Sequence, residues 1–378
     1  MKIVIAPDSF KGSLTSIQAA EAIGKGIKKV DERIETILVP MADGGEGTVQ
    51  SLINISKGKI LNCEVHDPIG RKITAHYGVL GDGKTAVIEM ASASGLPLLN
   101  VNEQNPLKTS TTGTGELILD VINKGYKKII LGLGGSATND GGAGMAKALG
   151  VSFLDKNNNQ VIPTGETLSK IHRIDVSGID KRLKEIKFIV ACDVDNPLCG
   201  EKGASYVYAS QKGASTNDIE VLEQNMRHYA EVLHQQLGEN IKDMPGAGAA
   251  GGLGAGTMLF LNAKLKKGIE IIAEITKLKE HIADADLVIT GEGCVDFQTV
   301  YGKTPFGVAM IAAPYKVPTI AIAGSLGKGY QTLYDYGFSG LFSIVHQPML
   351  LEQAIDEAAV LLENKAENIV RFWLKTKK

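Results

Sequence analysis

The chain has 378 residues, of which 44% are hydrophobic and 22% are charged, and its formal net charge is −2 at pH 7. Its length suits two domains, and its near-neutral charge excludes the basic surface expected of a nucleic-acid-binding protein. Its apolar runs are too short for a signal peptide or a membrane span. We therefore expect a cytoplasmic protein with no membrane or nucleic-acid partner.

Both ends of the chain alternate short β-branched runs with amphipathic stretches. The N-terminal pattern predicts strand 2–6, helix 15–28, strand 34–39 and helix 45–56. The C-terminal pattern predicts strands at 287–290, 319–323 and 341–345, with helices at 304–313, 330–336 and 351–374. Such alternation is typical of βαβ units around a parallel sheet that is buried on both faces.

The two ends are expected to form one sheet, because neither end alone supplies enough strands. Two N-terminal and three C-terminal strands give the five strands of a flavodoxin-like sheet. We predict an α/β fold with a discontinuous flavodoxin-like (Rossmann-like) parallel-sheet domain, residues 1–59 plus 282–378. Residues 60–281 would form a second, inserted α/β domain, with a cleft between the two domains.

The middle of the chain begins with alternating residues that predict antiparallel strands joined by hairpin turns. It continues with an α/β pattern of helix 114–124, strand 128–133, helix 141–149, strand 151–154, strand 188–192 and helix 218–237.

Two glycine motifs in the middle match phosphate-binding patterns but lack the expected context. GVLGDGKT, residues 78–85, matches the P-loop pattern, yet the residues that follow alternate like a strand and Asp82-Gly83 is a turn signal. We therefore predict a hairpin there. GAGAAG, residues 246–251, matches the dinucleotide pattern but follows no predicted strand, which makes it weak.

The stretch LGLGGSATNDGGAGM, residues 131–145, lies between a predicted strand and a predicted helix. Residues 132–137 have the spacing of a dinucleotide turn, and Asp155 ends the next predicted strand. However, the polar run SATND delays the helix and offers groups that suit phosphate oxygens and a metal. A phosphate or nucleotide loop is favoured, while a dinucleotide turn and a purely structural turn stay open.

Four further loops combine carboxylates with glycine, each directly after a predicted strand. They are PDSFKGS (7–13), PMADGGEGT (40–48), ACDVDNPLCG (191–200) and TGEGCVD (290–296), the last followed by Lys303. Ligands bind at the carboxyl ends of strands in open α/β sheets. Phosphoryl transfer needs carboxylates for Mg²⁺, backbone N–H groups and lysine for phosphate, and a base near the acceptor hydroxyl, so this combination favours that chemistry.

These motifs, in this order, resemble the bacterial glycerate kinase family (type 1) over nearly the whole chain. The resemblance is carried by PDSFKGSLT, PMADGGEGT, DPIGR, IEMASASGL, GTGELI, GGSATNDGGAGM, ACDVDNPL, QKGA, PGAGAAGGLGAG, ADLVITGEG and GKTPFGVA. It implies transfer of the γ-phosphoryl group of ATP to a hydroxyl of D-glycerate, with ATP and Mg²⁺ as cofactors. Three positions depart from the family pattern: Thr112 replaces an aromatic residue, Cys294 an arginine, and Ala209-Ser210 a Gly-Pro pair.

The resemblance also implies roles for the residues of these loops. The catalytic candidates are Asp193, Lys11, Lys303 and Asp296. The nucleotide-phosphate candidates are Gly134, Gly135, Ser136, Asn139, Asp140, Gly291 and Glu292. The substrate candidates are Asp8, Ser9, Asp43, Glu46 and Arg71, and the metal candidates are Asp193, Glu292 and Asp296.

Two other functions are compatible with the residues alone. A nicotinamide-dependent oxidoreductase would use residues 132–137 as its dinucleotide turn, and a non-catalytic protein would bind a small ligand. Which carboxylate is the base, and whether the product is 2- or 3-phosphoglycerate, stays open.

Overall fold

The protein is described by a computed structural model that covers residues 1–41 and 48–376. Its strands are β1 (Lys2–Pro7), β2 (Glu35–Leu38), β3 (Lys59–His66), β4 (Lys72–Val79), β5 (Thr85–Glu89), β6 (Lys128–Gly132), β7 (Ser152–Leu154), β8 (Arg173–Asp175), β9 (Lys187–Ala191), β10 (Lys264–Lys266), β11 (Leu287–Gly291), β12 (Cys294–Val295), β13 (Thr319–Ala323), β14 (Ser325–Leu326) and β15 (Phe338–Ser343). Its α-helices are α1 (Ser16–Val30), α2 (Thr48–Ser56), α3 (Ala91–Ser94), α4 (Thr112–Asn123), α5 (Ala143–Ala148), α6 (Ala204–Tyr208), α7 (Thr216–Leu237), α8 (Ala249–Leu261), α9 (Gly268–Ile275), α10 (Leu278–Ile282), α11 (Thr304–Ala312), α12 (Leu351–Asp356) and α13 (Ala358–Thr376). Short 3-10 helices include Ser210–Lys212, Phe297–Tyr301 and Tyr330–Tyr336.

The chain divides into two compact units. Unit 1 comprises Met1–Asp43 and Gly268–Lys378, and unit 2 comprises Gly44–Lys267. Both chain ends therefore enter unit 1. The sequence-based domain ranges, 1–59 with 282–378 and 60–281, stay a prediction. Within the described residues, no helix is long and apolar enough to cross a membrane.

Unit 1 contains a five-stranded parallel sheet in the order β15-β13-β11-β1-β2. Counted along the chain within this sheet, the order is 2-1-3-4-5, which is the flavodoxin-like order. The predicted fold class is therefore confirmed. The strand order reverses between β1 and β11, where Pro7 pairs with Gly291. Ligand sites of this fold lie beside that reversal, at the carboxyl edge of the sheet.

Helices cover both faces of the unit 1 sheet. On one face, Ile5 and Ile289 pack with residues of α1 and α13, including Ile23 and Leu362. On the other face, smaller side chains such as Ala321 pack with α11 and the 3-10 helix Tyr330–Tyr336. The β-branched, buried strands and the amphipathic helices thus form the three layers that the sequence pattern predicts.

Helix α1 begins at a capping box and packs closely against α13. The Thr15 hydroxyl accepts a hydrogen bond from the Gln18 amide, and the Gln18 side chain accepts one from the Thr15 amide, which is a capping box. Gly26 faces α13 so closely that a Cβ there would lie 2.1 Å from the Glu363 carbonyl oxygen. A glycine at position 26 therefore permits the two helices to make contact.

Unit 2 contains a mixed six-stranded sheet in the order β10-β9-β6-β5-β4-β3. Strands β5, β6, β9 and β10 are parallel, whereas β3, β4 and β5 are antiparallel neighbours. The GVLGDGKT stretch joins β4 to β5, with Gly83 at φ +65° and the Leu80 amide donating to the Thr85 carbonyl. It is the predicted hairpin.

The dinucleotide interpretation of residues 132–137 is wrong. It requires β6, α5 and the following strand to form a βαβ unit within one sheet. Strand β7 instead pairs antiparallel with β8 in a separate two-stranded sheet. The Asp155 carboxylate is also used within its own turn, because it accepts hydrogen bonds from the amides of Asn157 and Asn159.

Candidate functional site

A cavity of about 660 Å³ lies at the carboxyl edge of the unit 1 sheet, beside the reversal of strand order. Its polar lining includes five predicted site residues together with two serines and the cysteine that replaces the family arginine: Asp8, Ser9, Lys11, Glu292, Lys303, Ser13, Ser325 and Cys294. The structure therefore brings together residues that are separated by nearly three hundred positions in the sequence.

Asp8 follows β1 directly and is held by its neighbours. Its amide donates to the Gly291 carbonyl at the end of β11 (2.8 Å). Its carboxylate accepts hydrogen bonds from the Ser9 amide (2.6 Å) and from the hydroxyl of Thr304, the first residue of α11. Gly291 itself is buried at the end of β11, so only its backbone groups are available to the site.

Glu292 and Asp296 lie on either side of one lysine. The Lys303 Nζ is 3.7 Å from Glu292 Oε1 and 3.5 Å from Asp296 Oδ1. Glu292 also accepts a hydrogen bond from the Thr299 hydroxyl (3.1 Å). Burial raises the pKa of Glu292 to about 7, although the Lys303 charge and the Thr299 hydrogen bond oppose the rise. A carboxyl group of this kind can exchange a proton near neutral pH.

The Glu292–Asp296 pair fits the donor chemistry of Mg²⁺. Both carboxylates face a common positive charge, and Mg²⁺ is usually held by one or two carboxylates together with water and phosphate oxygens. Among the described residues, no group of three His, Cys, Asp or Glu side chains could hold a metal alone. A Mg²⁺ ion at this pair would take its remaining ligands from water or phosphate oxygens.

In unit 2, the glycine-rich stretch forms a loop from β6 to α5. Gly134 and Gly135 are exposed and Ser136 is half-buried, so three of the predicted phosphate contacts are accessible. The loop is fixed along residues 94–96, because the Leu96 amide donates to the Gly135 carbonyl (2.8 Å) and the Ala137 amide donates to the Ser94 carbonyl (3.0 Å).

Asn139 and Asp140, two further nucleotide-phosphate candidates, have side chains that do not face solvent. Both are completely buried. The Asp140 carboxylate accepts hydrogen bonds from the Thr111 amide (2.7 Å) and hydroxyl (2.9 Å) and from the amides of Gly142 and Gly144. Burial raises the pKa of Asp140, and these hydrogen bonds oppose the rise. Asp140 holds the loop on the start of α4.

Lys212 is a buried residue of this region that the sequence did not single out. Its Nζ donates to the Thr138 carbonyl (2.7 Å) from beneath the loop. Burial lowers the pKa of Lys212 to about 7, while Asp140 acts in the opposite direction. The sequence feature that could have identified Lys212 is the QKGA motif. A lysine is nearly always exposed, however, and the burial of this one, between α6 and α7 in the chain, is visible only in the folded protein.

Asp193 is exposed in unit 2, two residues after the end of β9. Asp43 and Glu46 lie outside the described residues.

Arg71, which was predicted as a cation for the substrate, makes three contacts within unit 2. Its guanidinium pairs with Asp67 (2.5 Å) and Glu103 (2.8 Å) and donates to the Leu98 carbonyl (3.1 Å). These hydrogen bonds and charges also raise the pKa of Arg71. The two carboxylates neutralise the charge of the guanidinium. Its contacts with them hold the turn between β3 and β4 in place.

A parallel α/β unit with carboxylates, lysines and hydroxyls at its reversal of strand order is typical of enzymes that bind small charged ligands. The sequence model of the glycerate kinase family matches residues 3–374. A glycerate kinase of Halalkalibacterium halodurans is 52% identical over 376 residues, with 99% of each chain covered. A glycerate 2-kinase of Escherichia coli is 49% identical over 354 residues, which cover 94% of this chain and 93% of the relative.

The structural comparison agrees with these sequence matches. A crystal structure from Salmonella typhimurium LT2, assigned as a glycerate kinase 2, is 44% identical with a TM-score of 0.90, covering 100% of this chain and 99% of the other. The chain belongs to the glycerate kinase family, and it is a kinase.

Proposed function

We propose that this kinase transfers the γ-phosphoryl group of ATP to a hydroxyl of D-glycerate. The observation that carries the proposal is the Glu292–Lys303–Asp296 cluster, which lies at the ligand-binding edge of a glycerate kinase family member. The name of the Escherichia coli relative, glycerate 2-kinase, favours the 2-hydroxyl as the acceptor.

In the proposed reaction, the acceptor oxygen forms a bond to the γ-phosphorus as the bond to the β–γ bridging oxygen breaks, and ADP leaves. Glu292 accepts the hydroxyl proton, since burial keeps its pKa close to neutrality. Lys303 and Lys11 attract the phosphate oxygens. Asp296 would hold Mg²⁺, which offsets charge on the phosphates when it is bound. Asp8 and Ser9 would orient the acceptor.

In unit 2, Gly134, Gly135 and Ser136 are the accessible candidates for phosphate contacts through backbone N–H groups. Asp193 remains a candidate metal ligand or base. We propose that Asn139, Asp140 and Lys212 position this loop rather than bind phosphate themselves.

An ADP-release assay with ATP and Mg²⁺ tests the proposal. We expect release that depends on D-glycerate and stays at background with L-glycerate, with glycolate or without an acceptor. NMR of the product would assign the phosphorylated hydroxyl. ADP release that does not depend on D-glycerate would contradict the proposal.

Lys303→Met tests the cluster itself. Loss of a charge that stabilises the transferring group should lower kcat roughly 10²–10³-fold, while the melting temperature changes little. Lys328→Met, at an exposed position of the same unit, is the matched control and should retain full activity. An active Lys303→Met variant would remove this lysine from the proposed mechanism.

A further inference from the structure

The lining of the unit 1 cavity contains two groups of residues of different chemistry. Its charged residues are Asp8, Lys11, Glu292 and Lys303. A second group, which we call the aliphatic wall, consists of Ile344, Val345, Met349, Leu351, Ala354, Ile355 and Ala358. The proposed phosphoryl transfer involves only the charged residues, so the aliphatic wall needs a separate explanation.

The cavity is also larger than glycerate, the proposed acceptor, requires. A volume of about 660 Å³ falls within the roughly 300–1,000 Å³ typical of sites for drug-sized ligands. Glycerate has three carbons, each carrying oxygen, and no apolar surface to place against seven aliphatic residues. Glycerate alone would leave this wall uncovered.

The aliphatic wall is attached to the rest of unit 1 by direct hydrogen bonds. The Ser13 hydroxyl donates to the Ile355 carbonyl (2.8 Å), which links α12 to the loop that carries Asp8 and Lys11. The Ile344 amide donates to the Ala323 carbonyl (2.8 Å), which extends the pairing of β15 with β13. The wall is therefore placed at a defined position relative to the charged groups.

We propose that the aliphatic wall binds the purine base and ribose of the nucleoside triphosphate, with its phosphates directed to Lys11 and Lys303. This inference rests on the proposed kinase reaction and adds the position of the nucleoside. A purine is flat, uncharged and apolar on both faces, which suits isoleucine and valine side chains. The Met349 thioether is half-buried at the wall, and thioethers make favourable contacts with aromatic rings.

Ala354→Phe tests the site by filling the space beside its aliphatic wall. Ala354 is half-buried on α12 and lines the cavity, whereas its neighbour Gln353 is exposed and does not. We expect Ala354→Phe to raise the KM for ATP at least tenfold and to leave the KM for D-glycerate within twofold. Gln353→Phe, which adds the same ring outside the cavity, should change neither constant.

Leu351→Glu provides a second variant that should not impair folding, because Leu351 is 75% exposed. A charge at the edge of the aliphatic wall should weaken AMP binding, measured by isothermal titration calorimetry, at least fivefold. Inorganic tripolyphosphate, which has no base, should bind the wild type and Leu351→Glu equally.

The outcomes separate the two proposals. Absence of glycerate-dependent ADP release in the wild type would overturn the proposed reaction with D-glycerate, whereas AMP binding can be measured without turnover. A rise in the KM for D-glycerate alone in Ala354→Phe would place the acceptor at the aliphatic wall and overturn the nucleoside site. Unchanged KM values in Ala354→Phe, or unchanged AMP binding in Leu351→Glu, would overturn it as well.

Discussion

Glu292 combines burial with a nearby cation, and its proton affinity should be visible in stability measurements. Its pKa is about 7 in the folded protein and near 4.5 when exposed. Between these values the folded state keeps a proton that the unfolded state has released. The free energy of unfolding should therefore fall as the pH rises from 4.5 to 7, relative to a variant without the carboxyl group.

Glu292→Gln removes this titration. Without Mg²⁺ and with EDTA present, the variant should gain up to ~2–3 kcal/mol of stability relative to the wild type between pH 4.5 and pH 8. Urea unfolding at both pH values measures the change. Glu352→Gln, at an exposed position of α12, is the control for replacing a glutamate by glutamine. If the difference in stability between Glu292→Gln and the wild type were the same at both pH values, the pKa of Glu292 would not be raised by folding.

At single residues, the sequence predicted the charged lining of the cavity but not all of its proposed participants. Asp8 and Glu292 were singled out because each directly follows a strand at a predictable edge of the sheet, and Lys303 because it comes soon after the TGEGCVD loop. The role predicted for Arg71 stays a prediction, and the sequence did not show its carboxylate partners, because Asp67 and Glu103 become its neighbours only after folding. A sequence shows which groups are present, whereas burial and pairing depend on the tertiary structure.

Among the secondary-structure elements, the start of α8 shows what the GAGAAG stretch does. Ala250, Gly251 and Gly252 have left-handed backbone conformations, and a Cβ at Gly251 would lie 1.9 Å from the Thr138 carbonyl oxygen. The glycines therefore let α8 approach the loop between β6 and α5. This is a packing role, and the sequence pattern could not distinguish it from nucleotide binding.

Gly251→Ala should destabilise the protein by several kcal/mol, because the added carbon overlaps a backbone oxygen in a strained conformation. Gly238→Ala is a matched control, since Gly238 also has a positive φ of +80° but no atom lies within 4 Å of the position that a Cβ would take there. It should cost only about 1 kcal/mol. Denaturant unfolding compares them, and equal losses would show that the contact with Thr138 is unimportant.

The C-terminal helix illustrates how far periodicity can predict an element. The apolar spacing predicted one helix over 351–374, and the structure has α12 and α13 separated at Glu357. The spacing predicts which side chains face the core, but not the interruption of the helix at Glu357. Strand β10 was missed for a related reason, because its three residues, Lys264–Lys266, are short and mostly polar.

For the molecule as a whole, the flavodoxin-like order was predictable because five strand-like runs were divided between the two chain ends. The sequence could not supply the strand pairing of unit 2, where β9 lies between β6 and β10 although long segments separate them. Such contacts join distant parts of the chain and leave no local pattern. In unit 1, α1 and α13 likewise pack in one core although they lie at opposite ends of the chain.

Leu362→Ala tests this dependence between the chain ends. Leu362 is completely buried on α13 in the core shared with α1, whereas Phe372 on the same helix is 72% exposed. Truncating the leucine should cost about 2–5 kcal/mol, and Phe372→Ala should change stability by less than about 0.5 kcal/mol. Amide hydrogen exchange should accelerate at Ala19–Ile27 of α1 in Leu362→Ala alone, since those amides depend on packing supplied by the opposite chain end. Unchanged protection in α1 would show that the N-terminal layer is stable without α13.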